Sequence, residues 1–77
     1  MNKKQRERLS ELIGQVEDIA TEIGEMAEEE QEKYDNMPEG LQYSEKGDML
    51  QEAADNLQQA SDDLASWCDE TRSNLEV

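Results

Sequence analysis

Between Met49 and Thr71 the apolar residues Leu50, Ala53, Leu57, Ala60, Leu64 and Trp67 recur at alternating steps of three and four. That spacing lays one narrow apolar stripe along a helix, with Leu at one core position of a heptad and Ala at the other until Trp67 closes the series. Nothing in the stretch alternates as a half-buried strand would. In the first half of the chain Leu9, Val16 and Ile23 take heptad position a, Leu12, Ile19 and Met26 take d, and Ile13, Ala20 and Ala27 take e. Three apolar positions per heptad make a stripe broader than a two-stranded seam needs, the breadth of a helix that touches two neighbours in a bundle. Gly14 and Gly24 each cost about 1 kcal/mol relative to Ala inside a helix. Ala20 and Gly24, four apart and beside Ala27, let another backbone come close.

The polar punctuation sets the ends of these elements. Asn2 is placed to cap a first helix over about residues 3–36. Its last turns carry the acidic run Glu25, Glu28, Glu29, Glu30, Glu32 and Asp35. Glu30 and Lys33 fall where the core letters call for apolar residues, so the seam weakens there and Tyr34 is left to cover it. Pro38 disfavours helix at Met37, and Gly40 can take a left-handed conformation, which predicts a chain reversal over about residues 37–43 with Leu41 and Tyr43 folded back on it. Ser44 is the N-cap of a second helix over about residues 44–73, with Glu45 and Asp48 suited to its first turn and Gly47 spoiling a full capping box. Thr71 to Val77 is expected to fray, although Leu75 keeps the period.

The expected fold is therefore all-α: one domain over residues 1–77, an antiparallel two-helix hairpin packed closely through small Ala side chains. Counting outward from a turn near Gly40 sets Leu57 near Ile23, Leu64 near Val16, and Trp67 near Leu12 and Ile13 as the largest core anchor. Cys68 reads as a small buried hydrophobe rather than a nucleophile.

Composition adds a second copy. With 77 residues, 34% of them hydrophobic, 36% charged and no Phe, a lone hairpin buries little apolar area and is marginal. Dimerisation into a four-helix bundle is the expected remedy, with Leu12, Ile13, Val16, Ile19, Ala20, Ile23, Gly24, Leu50, Leu57, Leu64 and Trp67 as core and dimer residues. High charge with few aromatics is also the signature of disorder that folds on a partner, but the sustained heptads argue against it.

Charge narrows the partners. The net charge is −14, and four of the seven cations, Lys3, Lys4, Arg6 and Arg8, sit in the first eight residues. The body is a polyanion with a basic tip. Cations at a helix N-terminus oppose the macrodipole, so the tip reads as a solvated end or as charge that offsets carboxylates on a neighbouring subunit. The acidic body repels nucleic acid and anionic membrane and favours a basic protein surface, with Glu25, Glu28, Glu29, Glu32, Asp35, Asp55, Asp62 and Asp63 as the acidic face. No apolar run is long enough for a membrane span or a signal-peptide core, and the single Cys68 makes no internal disulfide; together these point to the cytoplasm.

Catalytic chemistry finds few residues to use. There is no His, so neither a Ser-His nor a Cys-His pair nor a Cys/His zinc cluster can form, there is no Gly-rich phosphate loop, and the acids lack calcium-loop spacing. No catalytic group and no cofactor is called for. Glu28-Glu29-x-x-Glu32 followed by Glu52-x-x-Asp55 resembles the paired acidic motif of MazG-like nucleotide pyrophosphohydrolases, which implies Mg²⁺ held by Glu28, Glu29, Glu32, Glu52 and Asp55 against a nucleotide's phosphates. Carboxylates are so dense that such a pattern arises readily by chance, and these residues take positions facing away from the predicted seam.

A second resemblance lies in the segment Glu30-Gln31-Glu32-Lys33-Tyr34-Asp35-Asn36-Met37-Pro38-Glu39-Gly40-Leu41-Gln42-Tyr43-Ser44-Glu45-Lys46-Gly47 and the Ala/Leu/Glu/Asp helix after it. These look like short acidic proteins encoded by bacteriophages and prophages, built of a helix, a Pro-containing turn and a second helix. The likeness implies phage origin and a role in the host cytoplasm upon a host factor. The expectation is then a non-enzymatic acidic protein that binds and modulates or inhibits a basic host protein, such as one that handles nucleic acid or serves defence, by mimicry of phosphate charge. The alternatives are the Mg²⁺-dependent pyrophosphohydrolase, a plain structural homodimer, and a small-nucleotide sponge built from the basic tips of two chains.

Overall fold

The computed structural model describes residues 1–75 and is helical: α1 (Lys3–Asp35), α2 (Glu39–Gln42) and α3 (Glu45–Leu75), with no strand among the described residues. Asn2 caps α1 as its sequence predicts. Its Oδ1 accepts from the Gln5 N–H at 2.8 Å, while the Asn2 N–H donates to Gln5 Oε1 at 3.1 Å, so two otherwise unpaired donors are satisfied reciprocally.

The 33 residues of α1 measure about 50 Å at the rise of an α-helix. The whole molecule is 58 × 15 × 13 Å. A molecule little longer than one of its helices must have α3 lying alongside α1 instead of extending it. Cys68 lies on Ile13, Ser61 on Ala20 and Gln51 on Gln31. Positions fall on α1 as they rise on α3, so the two helices are antiparallel, in a register close to that obtained by counting outward from the turn.

The line of contact follows one edge of the expected stripe on α1, and on α3 it lies beside the expected seam. On α1 the buried residues are Ile13, Ala20 and Ala27, a heptad apart. On α3 they are Gly47, Ala54 and Cys68, with half-buried Ser61 filling the missing heptad step. Val16, Ile23, Leu50, Leu57 and Leu64 are half-buried flanks of this line. Leu12, Ile19, Met26 and Trp67 remain 38%, 51%, 49% and 45% exposed, so Trp67 is not the anchor between these helices; its neighbour Cys68, 1% exposed, takes that place. Size is the reason. Large side chains on the contact line would hold the backbones apart, whereas Ala20, Ala27, Ala54 and Ser61 let them approach until side chains reach the opposite main chain. Ser61 Oγ donates to the Ala20 carbonyl at 2.7 Å, and the Cys68 thiol donates to the Ile13 carbonyl at 3.7 Å. Gly24 belongs to this approach, since a Cβ there would stand 3.1 Å from Ser61 Oγ; Gly14 has open space around it and does not.

The reversal is built differently from the expected glycine turn. Asn36 ends α1 with its N–H on the Glu32 carbonyl at 2.9 Å, and the Leu41 and Gln42 N–H groups both donate to the Pro38 carbonyl, at 2.8 and 3.2 Å. Pro38 thus opens a single helical turn, where its fixed φ is an asset and its missing N–H costs nothing. No described residue has a positive φ, so Gly40 does not reverse the chain through a left-handed conformation. Leu41 and Tyr43 are 53% and 80% exposed and do not fold back over the end; Gln42 does so instead, its Nε2 donating to the Tyr34 carbonyl at 3.1 Å. Ser44 caps α3 as expected, with Oγ accepting from the Gly47 N–H at 3.3 Å and donating to the Leu41 carbonyl. A helix that continues through Leu75 leaves no frayed end before that residue; positions 76 and 77, to which the expected fraying also extends, lie outside the described residues.

Gly47 is the position where this corner has no slack. A Cβ there would meet the carbonyl oxygens of both Gln42 and Leu41, the latter at 2.8 Å. Gly47→Ala is expected to destabilise the protein by about 1–3 kcal/mol, the usual cost of overpacking. Gly14→Ala, made into open space, should gain up to about 1 kcal/mol from helix propensity. Urea melts followed by circular dichroism check both, and equal effects at the two glycines would refute the corner geometry.

Candidate protein-interaction surface

Packing through small residues throws the large side chains to one side. With Ala20 and Ser61 as points of contact, helical spacing puts Val16, Ile23, Leu12, Ile19 and Met26 on one side of α1, and Glu17, Thr21 and Glu28 on the other. On α3 it puts Leu57, Leu64, Ala60 and Trp67 on one side, and Gln58, Ala65 and Asp69 on the other. Two shallow grooves show which sides coincide. Glu17 and Thr21 share one groove with Ala65 and Asp69, and Glu28 and Gln31 share the other with Asp55 and Gln58. The polar sides therefore lie together, and so do the apolar sides. The apolar face is prolonged toward the turn by a cleft lined by Met37, Leu41 and Leu50 between Lys33 and Lys46.

The polar face is laced across both helices. Gln31 and Gln51 exchange two amide hydrogen bonds, at 3.2 and 2.9 Å, and pass the chain outward to Asp35 and Asp55, each at 3.0 Å. Arg72 pairs with Glu17 between the far ends of the helices. Along α3, Gln58 donates to Asp62 at 3.1 Å and Gln59 to Asp63 at 2.8 Å, the i,i+4 spacing that lets an amide share a helical face with a carboxylate. These bonds hold carboxylates in place without neutralising them.

Every residue of the predicted acidic face is exposed: Glu25, Glu28, Glu29, Glu32, Asp35, Asp55, Asp62 and Asp63. They do not form one patch. Glu25, Glu28, Glu32 and Asp35 follow each other at steps of three and four on the polar side of α1, with Asp55 and Asp62 beside them on α3, whereas Glu29 and Asp63 point to the backs of their helices. Among the five possible metal ligands only Glu28 and Asp55 share a groove, and Asp55 already accepts from Gln51. No group of three or more His, Cys, Asp or Glu placed to hold a metal ion occurs among the described residues. The hydrogen bond of Lys33 to Glu30 at 2.8 Å, then the Glu30 charge, hold its pKa above the ordinary lysine value, with Glu29 adding to the rise against slight desolvation.

Of the predicted core and dimer residues, Ile13, Ala20 and Gly24 lie at the contact between α1 and α3, Val16, Ile23, Leu50, Leu57 and Leu64 flank it, and Leu12, Ile19 and Trp67 face outward on the apolar side. The Gln31–Gln51 pair, Ser61 and the Glu17–Arg72 pair escape prediction. The repeated Gln-x-x-x-Asp spacing at 51/55, 58/62 and 59/63 is the one signal in the sequence that announces part of this lacing. No helix among the described residues is long and apolar enough to cross a membrane.

No protein-family model matches the chain, and the searches of curated proteins and of solved structures find no match either.

The buried thiol offers a direct check on the contact line. Cys68 should react with a disulfide reagent about 10²-fold more slowly in the native protein than in urea, because reaction requires opening of the helix pair. Reaction at the unfolded rate under native conditions would place Cys68 on the surface and overturn the assignment.

Proposed function

We propose that this chain is a non-enzymatic acidic interaction protein: a helical hairpin that pairs with a second copy through its apolar face to make a four-helix bundle, and offers its carboxylates to a basic surface on another protein. The observation that carries the reading is the segregation of the two faces. Leu12, Ile19, Met26 and Trp67 are left about half exposed on one side, and the ordered carboxylates occupy the other. Finishing the burial of each such side chain contributes about 1 kcal/mol. A second copy thus gains several kcal/mol in a molecule too small to be stable on its own core.

The acidic side supports the rest of the reading. A net charge of −14 accelerates encounter with a basic partner and rejects acidic ones. Carboxylates repeated along two rigid helices imitate the spaced negative charge of a nucleic-acid backbone. A host cytoplasm as the setting, with a nucleic-acid-binding or defence protein as target, is what the resemblance of the turn segment to small phage proteins implies, and it is proposed on that resemblance alone. The pyrophosphohydrolase reading lacks comparable support, because Glu29, Glu32 and Glu52 do not join Glu28 and Asp55 in one groove.

Two measurements test the proposal. Sedimentation should give a dimer, and Ile19→Ser with Trp67→Ser should shift it to monomer; a monomeric parent protein sinks the bundle. Binding to a basic DNA-binding protein should be competed by duplex DNA, fall steeply with salt, and weaken at least about tenfold when Glu25, Glu28 and Glu32 become Gln and Asp35 becomes Asn. Affinity indifferent to salt and to these changes counts against charge mimicry.

A further inference from the structure

Resting on the dimer of the preceding section, we infer that the second copy lies antiparallel on the apolar face, related by a two-fold axis, so that the basic tip of each chain clamps the acidic turn end of the other.

The shape of the face selects a second copy. It runs from Leu12 and Trp67 to the cleft of Met37, Leu41 and Leu50, along most of a molecule 58 Å long and 15 Å across, a long and narrow outline that a second copy matches. A rod of the same length covers all of it.

Charge selects the direction. At one end of the rod Lys3, Lys4, Arg6, Arg8 and Arg72 outnumber Glu7, Glu11, Asp69 and Glu70, while Glu25, Glu28, Glu29, Glu30, Glu32, Asp35, Glu39, Glu45 and Asp48 crowd the other, opposed there only by Lys33 and Lys46. Lys33 is already paired with Glu30. Two copies packed with like ends together would set tip against tip and acidic end against acidic end, repulsive at both. Reversing one copy replaces both repulsions with attractions.

The register gives the contacts. The apolar residues that α1 leaves exposed on this side, Leu12, Ile19 and Met26, are centred on Ile19. An isologous, two-fold pairing of α1 with α1 of the second copy about that point sets Leu12 against Met26. It also carries Arg8, which lies on the edge of the apolar side and makes an exposed pair with Glu11 of its own chain at 3.0 Å, to Glu29 and Glu30 of the second copy. Met1, 68% exposed, comes to the apolar cleft formed by Met37, Leu41 and Leu50. The basic residues that oppose the α1 macrodipole thereby acquire a reason to be there.

The test is a distance. In the full chain with Cys68→Ala and Glu7→Cys, spin labels at position 7 should lie about 35–45 Å apart in the dimer, twice the helical rise from residue 7 to the centre. Copies with like ends together would give about 20 Å by the spacing of helices in a bundle, and that result overturns the orientation while leaving the dimer intact. A monomer in sedimentation overturns the dimer itself. A charge swap in the otherwise native chain gives a second reading: Lys4→Glu with Arg8→Glu, and separately Glu29→Lys with Glu30→Lys, should each weaken dimerisation at least about tenfold. All four changes combined should restore it to within a few-fold of the parent. Additive weakening in the combined variant refutes the clamp.

Discussion

Close approach of two backbones is the constraint on which the other features depend. Because Ala20, Gly24 and Ala27 face Ala54 and Ser61, α1 and α3 come near enough for Ser61 to reach the Ala20 carbonyl and for Cys68 to reach that of Ile13. At the corner a separate close approach, of the Leu41 and Gln42 carbonyls in α2 to the first turn of α3, leaves Gly47 no room for a Cβ. Small residues at a contact supply little apolar burial of their own. They give fit and direct hydrogen bonds at the contact, and leave the larger side chains to be buried elsewhere.

That redistribution produces the two-faced character of the molecule. Once the contact line belongs to small residues, Leu12, Ile19, Met26 and Trp67 have no place between the helices and collect on one side. The opposite side is then free to be polar, and it is stitched by the Gln31–Gln51 amides and the Glu17–Arg72 pair. These exposed bonds each contribute little in water. Their effect is positional, since they fix carboxylates along two straight elements. The uneven distribution of charge works along the other axis, from a basic tip to an acidic corner. A rod with an apolar side, an acidic side and oppositely charged ends is directional in every dimension that association can read.

How much of this was legible in the residues depends on what each signal measures. Heptad spacing registers that a stripe exists, and it located both long helices to within a residue or two of their observed ends. It does not register where in a broad stripe the neighbour sits. The lettering spread the core of α1 over Leu12, Ile13, Val16, Ile19, Ala20 and Ile23 and that of α3 over Leu50, Leu57, Leu64 and Trp67, whereas fit confined the contact to Ile13, Ala20 and Ala27 on α1 and to Ala54, Ser61 and Cys68 on α3. Caps were legible because they are local: Asn2 and Ser44 each bond within three residues of themselves. The turn was only half legible. Pro38 marked it, but Gly40 suggested a left-handed residue where a short right-handed turn occurs. The need for glycine at position 47 comes from carbonyls that only the folded corner brings there.

By itself, then, the sequence determined what depends on neighbours along the chain: two long amphipathic helices, their caps, the break at Pro38, and an acidic excess relieved chiefly in the first eight residues. Tertiary structure decided what depends on neighbours across space: which edge of each stripe makes the contact, which glycines are irreplaceable, and that the two apolar flanks fall on the same side. The physical reason is that periodicity and capping are properties of single helices, set by backbone geometry over a few residues. The contact line is set by how closely two helices can approach, and no single helix carries that information.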